Sequence, residues 1–299
     1  MKKKKKALNT LKFLKKKLKG FTLIEMLVVI AVIGIMSSTV AVSIKGVTER
    51  ARIAKGLSFN SQAYHLLSID AVGIWNFDEG VDGTCSDGKD VCDNSGGDNH
   101  GNTIGTAWTT DTPGNTGYAL SFDGNSNFID MGWSPDFPLM TDYTVSVWIN
   151  DNGTGQYDGY GAKVVDKTSY NHEWRLGVQS DGRIEWSTYE GGAGDILNTA
   201  GYDYRDSKWH HIAVVKNGID GYLYVDGDLK EFGSNIKTVD SSGNFLIGYC
   251  HSADYLQNKH FGGFIDEVRI YSRALNQAQI QKHYVEGLEK HKNLASSTE

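Results

Sequence analysis

The groups in this sequence best placed to do chemistry are carboxylates set among apolar residues or glycines. In the late segment GFIDEVRIY, a period of two puts Phe264, Asp266, Val268 and Ile270 on one face. Ile265, Glu267, Arg269 and Tyr271 fall on the other. Asp266 then lies in an apolar row, where a carboxylate needs a partner. A Lys or Arg from a neighbouring strand would serve. Ca²⁺ would also serve, because it takes several oxygens, backbone carbonyls included. The turns after NFDEG and SFDGN offer such oxygens, so Asp78 and Asp123 are the companion candidates for a structural calcium.

Other residues allow a chemical and a plain reading side by side. Asp82, Asp87, Asp90, Asp93 and Asp98 crowd one glycine-rich stretch; they read as turn residues, and their spacing fits no EF-hand loop. His210 and His211 are adjacent in a strand and point to opposite faces, so they do not chelate one metal easily. Trp148, Trp174, Trp186 and Tyr189 are candidates for an aromatic platform that stacks on sugar, with core packing as the alternative. Cys85 and Cys92 bracket a short loop and suit a local disulfide in an oxidising compartment, whereas Cys250 stands apart. No second close Cys pair exists to make a zinc site.

These residues follow an N-terminal segment of a different kind. Residues 1–20 contain ten Lys and no acid, while the whole chain carries −6, so the remainder carries −16. A basic head on an acidic body reads as a cut leader and argues against nucleic acid as a partner. Residues Phe21 to Ile44 are almost wholly apolar and, as a helix of about 36 Å, would cross a bilayer with the lysines on the cytoplasmic side. One acid, Glu25, sits inside this run, where a carboxylate costs about 3 kcal/mol or more.

The stretch Gly20, Phe21, Thr22, Leu23, Ile24, Glu25, followed by an apolar run containing Gly34, resembles type IV prepilins and pseudopilins. That resemblance implies cleavage between Gly20 and Phe21 by a prepilin peptidase and N-methylation of Phe21. It also implies assembly with other pilin or pseudopilin subunits, with Glu25 neutralising the Phe21 amine of a neighbour. Such pairing makes both buried charges tolerable in one register. Many pilins have a proline in the second half of the anchor; SSTVAVSIKGV has none, which leaves major pilin, minor pilin and pseudopilin all open.

From Gly73 onward, short runs rich in Val, Ile, Tyr, Phe and Trp alternate with Gly, Asp, Asn and Ser clusters. Asp181-Gly182 and Asn217-Gly218 supply hairpin turns. At least ten such runs predict a mainly β, antiparallel two-sheet sandwich or barrel, closed by a helix over Asn276 to Leu288. The series WNFDEG, DNSGGDNHGN, YALSFDGNSNFIDMG, TVSVWI, KWHHIAVVKNG, YLYVDG and FIDEVRIYSRALNQAQIQKHY resembles laminin-G-like, concanavalin A-like jelly rolls. The resemblance implies a structural calcium near Asp266.

The jelly-roll glucanases carry Glu-x-Asp-x-x-Glu on one strand, and no Glu of this chain has Asp two positions later, so no enzyme is expected. The expected organisation is a leader over 1–20, an assembly helix and stalk over 21–70, a jelly-roll head over 71–288 and a tail over 289–299. The expected protein is membrane-anchored with its head outside, or in a pilus, and presents that head to carbohydrate or another surface. The alternatives are a type II secretion pseudopilin that contacts cargo, and a membrane-tethered glycan hydrolase.

Overall fold

The computed structural model describes residues 23–30, 32, 70–132, 141–157, 161–169, 172–190, 193–239, 243–250 and 259–290. The chain forms two compact units, Met1–Ala54 and Lys55–Glu299. In the first, residues 23–30 are helical and expose an apolar surface that includes Leu23, Ile24 and Met26, with Glu25 among them. Among the described residues, no helix is long and apolar enough to cross a membrane. Gly20, Phe21 and most of the expected assembly helix and stalk lie outside the described residues.

The second unit is a β sandwich. Strands β1 (Ala71–Trp75), β3 (Ala107–Thr109), β4 (Ala119–Asp123), β6 (Tyr143–Asp151), β11 (Trp209–Asn217), β12 (Asp220–Val225), β13 (Asp228–Ser234) and β17 (Gly262–Tyr271) form one sheet. Its order is β13-β12-β11-β6-β17-β4-β3, with β1 also paired to β17. The facing sheet runs β10-β9-β8-β7-β14-β5-β2. Its strands are β2 (Asn102–Ile104), β5 (Phe128–Asp130), β7 (Ala162–Ser169), β8 (His172–Val178), β9 (Ile184–Glu190), β10 (Ala193–Asn198) and β14 (Phe245–Ile247). A two-stranded pair, β15 (Tyr249–Cys250) with β16 (Lys259–His260), completes the strands among the described residues. Every pairing is antiparallel, and the order crosses between distant strands, as a jelly roll requires.

Alternation fills the space between the sheets. Val145, Val147 and Ile149 of β6 and Ile212 and Val214 of β11 meet Trp174, Leu176, Ile184 and Trp186 from the other sheet. Both expected hairpins form: Gly182 and Gly218 hold positive φ between β8 and β9 and between β11 and β12. A second, smaller cluster, containing Ala213, Val215, Tyr271 and Ile280, lies on the outer face of the eight-stranded sheet. The C-terminal helix, Gln277–Lys290, covers that face. Its start is fixed reciprocally: Gln279 N–H donates to Asn276 Oδ1 at 3.0 Å, and Asn276 N–H donates to Gln279 Oε1 at 2.9 Å.

One expectation from periodicity needs correction. β17 carries a bulge between Asp266 and Arg269, with Glu267 at φ 52°. The extra residue resets the alternation. Ile265, Val268 and Ile270 face the core, and Asp266 does not share their row. Glu267 is buried as well as Asp266, and is paired with the Arg269 guanidinium.

Candidate functional site

The carboxylates expected to share calcium are held apart. Asp266 is fully buried, pairs in register with Trp148, and its Oδ1 accepts the Glu267 N–H at 2.8 Å. Asp123 lies opposite Gly262, four residues before Asp266 on β17, or about 13 Å along the strand. Its oxygens accept the N–H groups of Asn125, Ser126 and Asn127 and the Ser126 hydroxyl. Burial opposes ionisation of Asp123, but these donors outweigh it and hold the group far below the usual carboxylate range. Asp78 is exposed and meets the Tyr118 N–H at 3.4 Å. Among the described residues, no three His, Cys, Asp or Glu side chains gather as a metal-holding set, and Asp266 and Asp123 stand too far apart along the sheet to share one ion.

The expected aromatic platform is also redistributed. Trp174 and Trp186 flank Tyr143 edge-on inside the core, and Trp174 Nε1 donates to the Tyr143 hydroxyl at 2.7 Å. Trp148 is 2% exposed; it stacks on Tyr284 of the C-terminal helix and lies beneath Gly287. None of the three Trp offers a ring face to a surface ligand. Tyr189, on β9, is half-buried. Cys85 and Cys92 form a disulfide with a Cα separation of 5.2 Å, and Cys250 is a buried thiol pushed up by its burial. His211 is buried against Trp148, and its burial pushes it down to about 3.

An exposed aromatic surface does form, on the connection from β10 to β11, TAGYDYRDSK. Tyr202 is 45% exposed, and its ring packs 4.6 Å from that of Tyr204, which is buried beneath it. Charges surround the pair. Arg205 is bound to both oxygens of Asp203, with Nε to Oδ1 at 2.9 Å and an Nη to Oδ2 at 2.8 Å, and it also donates to Ser180 O. The Arg205 guanidinium lies 5.3 Å from the centre of the Tyr157 ring. The Tyr202 hydroxyl donates to Asp206 Oδ2 at 2.9 Å. The loop is tied down where Ser207, at φ 57°, donates its N–H to Asp151 O at 3.0 Å. Asp151 itself is buried, takes the Tyr157 hydroxyl on Oδ1, and is pushed up to about 6 by its burial.

Trp209 follows directly. Its indole N–H donates to Asp111 Oδ1 at 2.9 Å, and its ring lies 6.3 Å from Phe264 across the end of the sheet. An exposed, braced aromatic ring beside paired donors and acceptors is the composition that sugar rings and their hydroxyls require. The signal in the sequence is two Tyr and an Arg among Asp residues, directly after Gly201. It is faint because a tyrosine in a polar loop has no periodicity to mark it.

The two antiparallel sheets define a jelly-roll class of β sandwich. A family profile described as the concanavalin A-like lectin/glucanases superfamily matches residues 123–281, and the chain belongs to that superfamily. A second profile, the prokaryotic N-terminal methylation motif, matches residues 15–41. A comparison with curated proteins finds no match.

Among solved structures, the binding domain of Paraclostridial Mosquitocidal Protein 1 is similar at 19% identity and a TM-score of 0.58, over 73% of this chain and 52% of that one. Domain 4 of AbnA, a GH43 extracellular arabinanase from Geobacillus stearothermophilus, was solved in complex with arabinotriose. It is similar at 20% identity and a TM-score of 0.55, over 71% of this chain and 97% of that one. The binding domain of botulinum neurotoxin DC, in complex with SialylT, is similar at 13% and 0.54, over 74% and 52%. The chain spans about half the length of these two toxin binding domains. At these identities the likeness shows the fold.

Proposed function

We propose that this is a pilin-like surface protein whose β-sandwich head binds glycan, with the Tyr202 loop as the contact surface. The observation that carries the proposal is the union in one chain of a prepilin methylation motif with a lectin fold that exposes a braced aromatic ring. Tyr202 would stack on a sugar ring, Arg205 and Asp203 would meet its hydroxyls, and Trp209 would extend the surface. The body of the chain carries −16 once the lysine-rich leader is removed. Such a charge favours neutral glycans over polyanionic ones. Binding rather than catalysis is supported by the similar domains, whose names describe binding domains or a sugar complex.

The core residues of the head all come from residue 71 onward, which makes the head a sensible unit to purify. A glycan array probed with residues 71–299 should show a defined set of neutral oligosaccharides. Tyr202→Ala should weaken their binding about tenfold or more, since one stacked aromatic contributes on the order of 1 kcal/mol beyond its buried area. An array with no bound glycan, or a Tyr202→Ala head that binds like wild type, rejects the assignment.

A further inference from the structure

His210 is the second residue of β11, next to the Tyr202 loop, and is 8% exposed. Both of its ring nitrogens face carboxylates. Nδ1 lies 2.9 Å from Asp226 Oδ2, and Nε2 lies 3.2 Å from Asp206 Oδ1. A neutral imidazole has one N–H and one lone pair, so it can donate to only one of them. The other nitrogen would set an acceptor against an acceptor. Only the doubly protonated ring satisfies both acids.

The two acids are not equally anchored. Asp226 takes the His211 N–H on its other oxygen at 3.0 Å, and its own N–H donates to His211 O at 2.8 Å. Asp206 belongs to the loop, and its other partners among the described residues are loop residues: its Oδ2 accepts the Tyr202 hydroxyl at 2.9 Å and the Lys208 ammonium at 2.7 Å, and its Oδ1 accepts the Lys208 N–H at 3.1 Å, so His210 is its tie to the sheet. The proton on His210 is thus one carboxylate away from the exposed ring. We propose that His210 is a proton-dependent latch on the Tyr202 loop: charged, it holds Asp206 and fixes Tyr202; neutral, it keeps Asp226 and releases Asp206. This regulation applies to the surface assigned above to glycan, but the latch can be tested without any ligand.

Burial works against the charged ring, yet Asp226 and Asp206 outweigh it and raise His210 above its ordinary value. The contribution of the latch is therefore full below about pH 6.5 and is lost as pH rises through the folded-state value. Other groups face the same ring. Tyr204 meets it edge-on at 5.1 Å and Tyr202 lies at 6.1 Å, while its register neighbour on β6, Ile149, bears no charge. Lys208 reaches it only through Asp206. Asp151 lies beneath the loop at the Ser207 N–H and is the rival source of pH dependence.

The test is hydrogen exchange with mass spectrometry on the full chain in detergent, comparing about pH 5 with about pH 8 after correction for intrinsic rates. Amides of residues 201–208 should be protected about tenfold more in acid, the worth of one charge-assisted bond. Exchange at the His210 ring carbon should titrate with the same midpoint. His210→Gln should flatten the pH dependence, and Asp151→Asn should leave it in place. The latch is overturned by a loop with equal protection at both pH values. It is also overturned if the pH step survives in His210→Gln, or if the loop and the His210 ring titrate at different midpoints.

Discussion

Asp123 commits its carboxylate to its own backbone. Three N–H groups and a hydroxyl converge on it, so the turn after β4 closes around one side chain. Asp123→Ala should therefore destabilise the head by about 1–2 kcal/mol, with or without calcium in the buffer. Asp123 is held below its ordinary value, so its contribution is complete above about pH 4 and is lost as pH falls toward the folded-state value. Urea melts of wild type and variant at neutral pH and in acid check both statements: the gap should be present in the first and shrink in the second. The same residue shows where a motif stops being legible. An acid in SFDGN was visible in the sequence, but the choice between a metal and three local amides depends on φ and ψ, which the one-letter string does not carry.

At the scale of elements, strands with clean alternation were legible and irregular ones were not. TVSVWI and WHHIAVV became β6 and β11, and both hairpin dipeptides turn the chain as read. β7 has no legible period because Lys163 and Lys167 break its pattern, although both are buried. β13 is hard to read because Asp226, at φ 52°, and Gly227 turn the chain straight into a second strand of mixed polarity. The bulge in β17 was invisible for a related reason: Glu267 adopts a backbone conformation that its residue type does not announce. The C-terminal helix was read to within two residues at its end, but its role as cover for Trp148 was not. Gly287 allows that close approach, because a Cβ there would collide with the Trp148 indole. Gly287→Val should cost about 1–3 kcal/mol through overpacking, and should loosen the helix more than the sandwich. A thermal melt with Trp fluorescence, compared with far-ultraviolet circular dichroism, separates the two.

For the whole molecule, the N-terminal motif and the lectin fold make complementary demands. The motif supplies an address and an anchor, while the head supplies a surface. Intact mass of the mature protein should give an N-terminus at Phe21 carrying one methyl group; a chain that begins at Met1 or after Ser38 contradicts this processing. Where the head begins also has a mechanical meaning. Asp70 accepts the Ser272 N–H at 2.8 Å and pairs with Arg273 at 3.2 Å, and the next residues, Ala71 to Trp75, lie antiparallel to the last strand. Any tension that reaches the head from its N-terminal side enters through this strand. A pull along the strand axis loads the ion pair and the whole β1–β17 ladder together in shear, so the bonds share the force instead of opening one by one. The strand that receives the load is locked to the last strand of the sandwich.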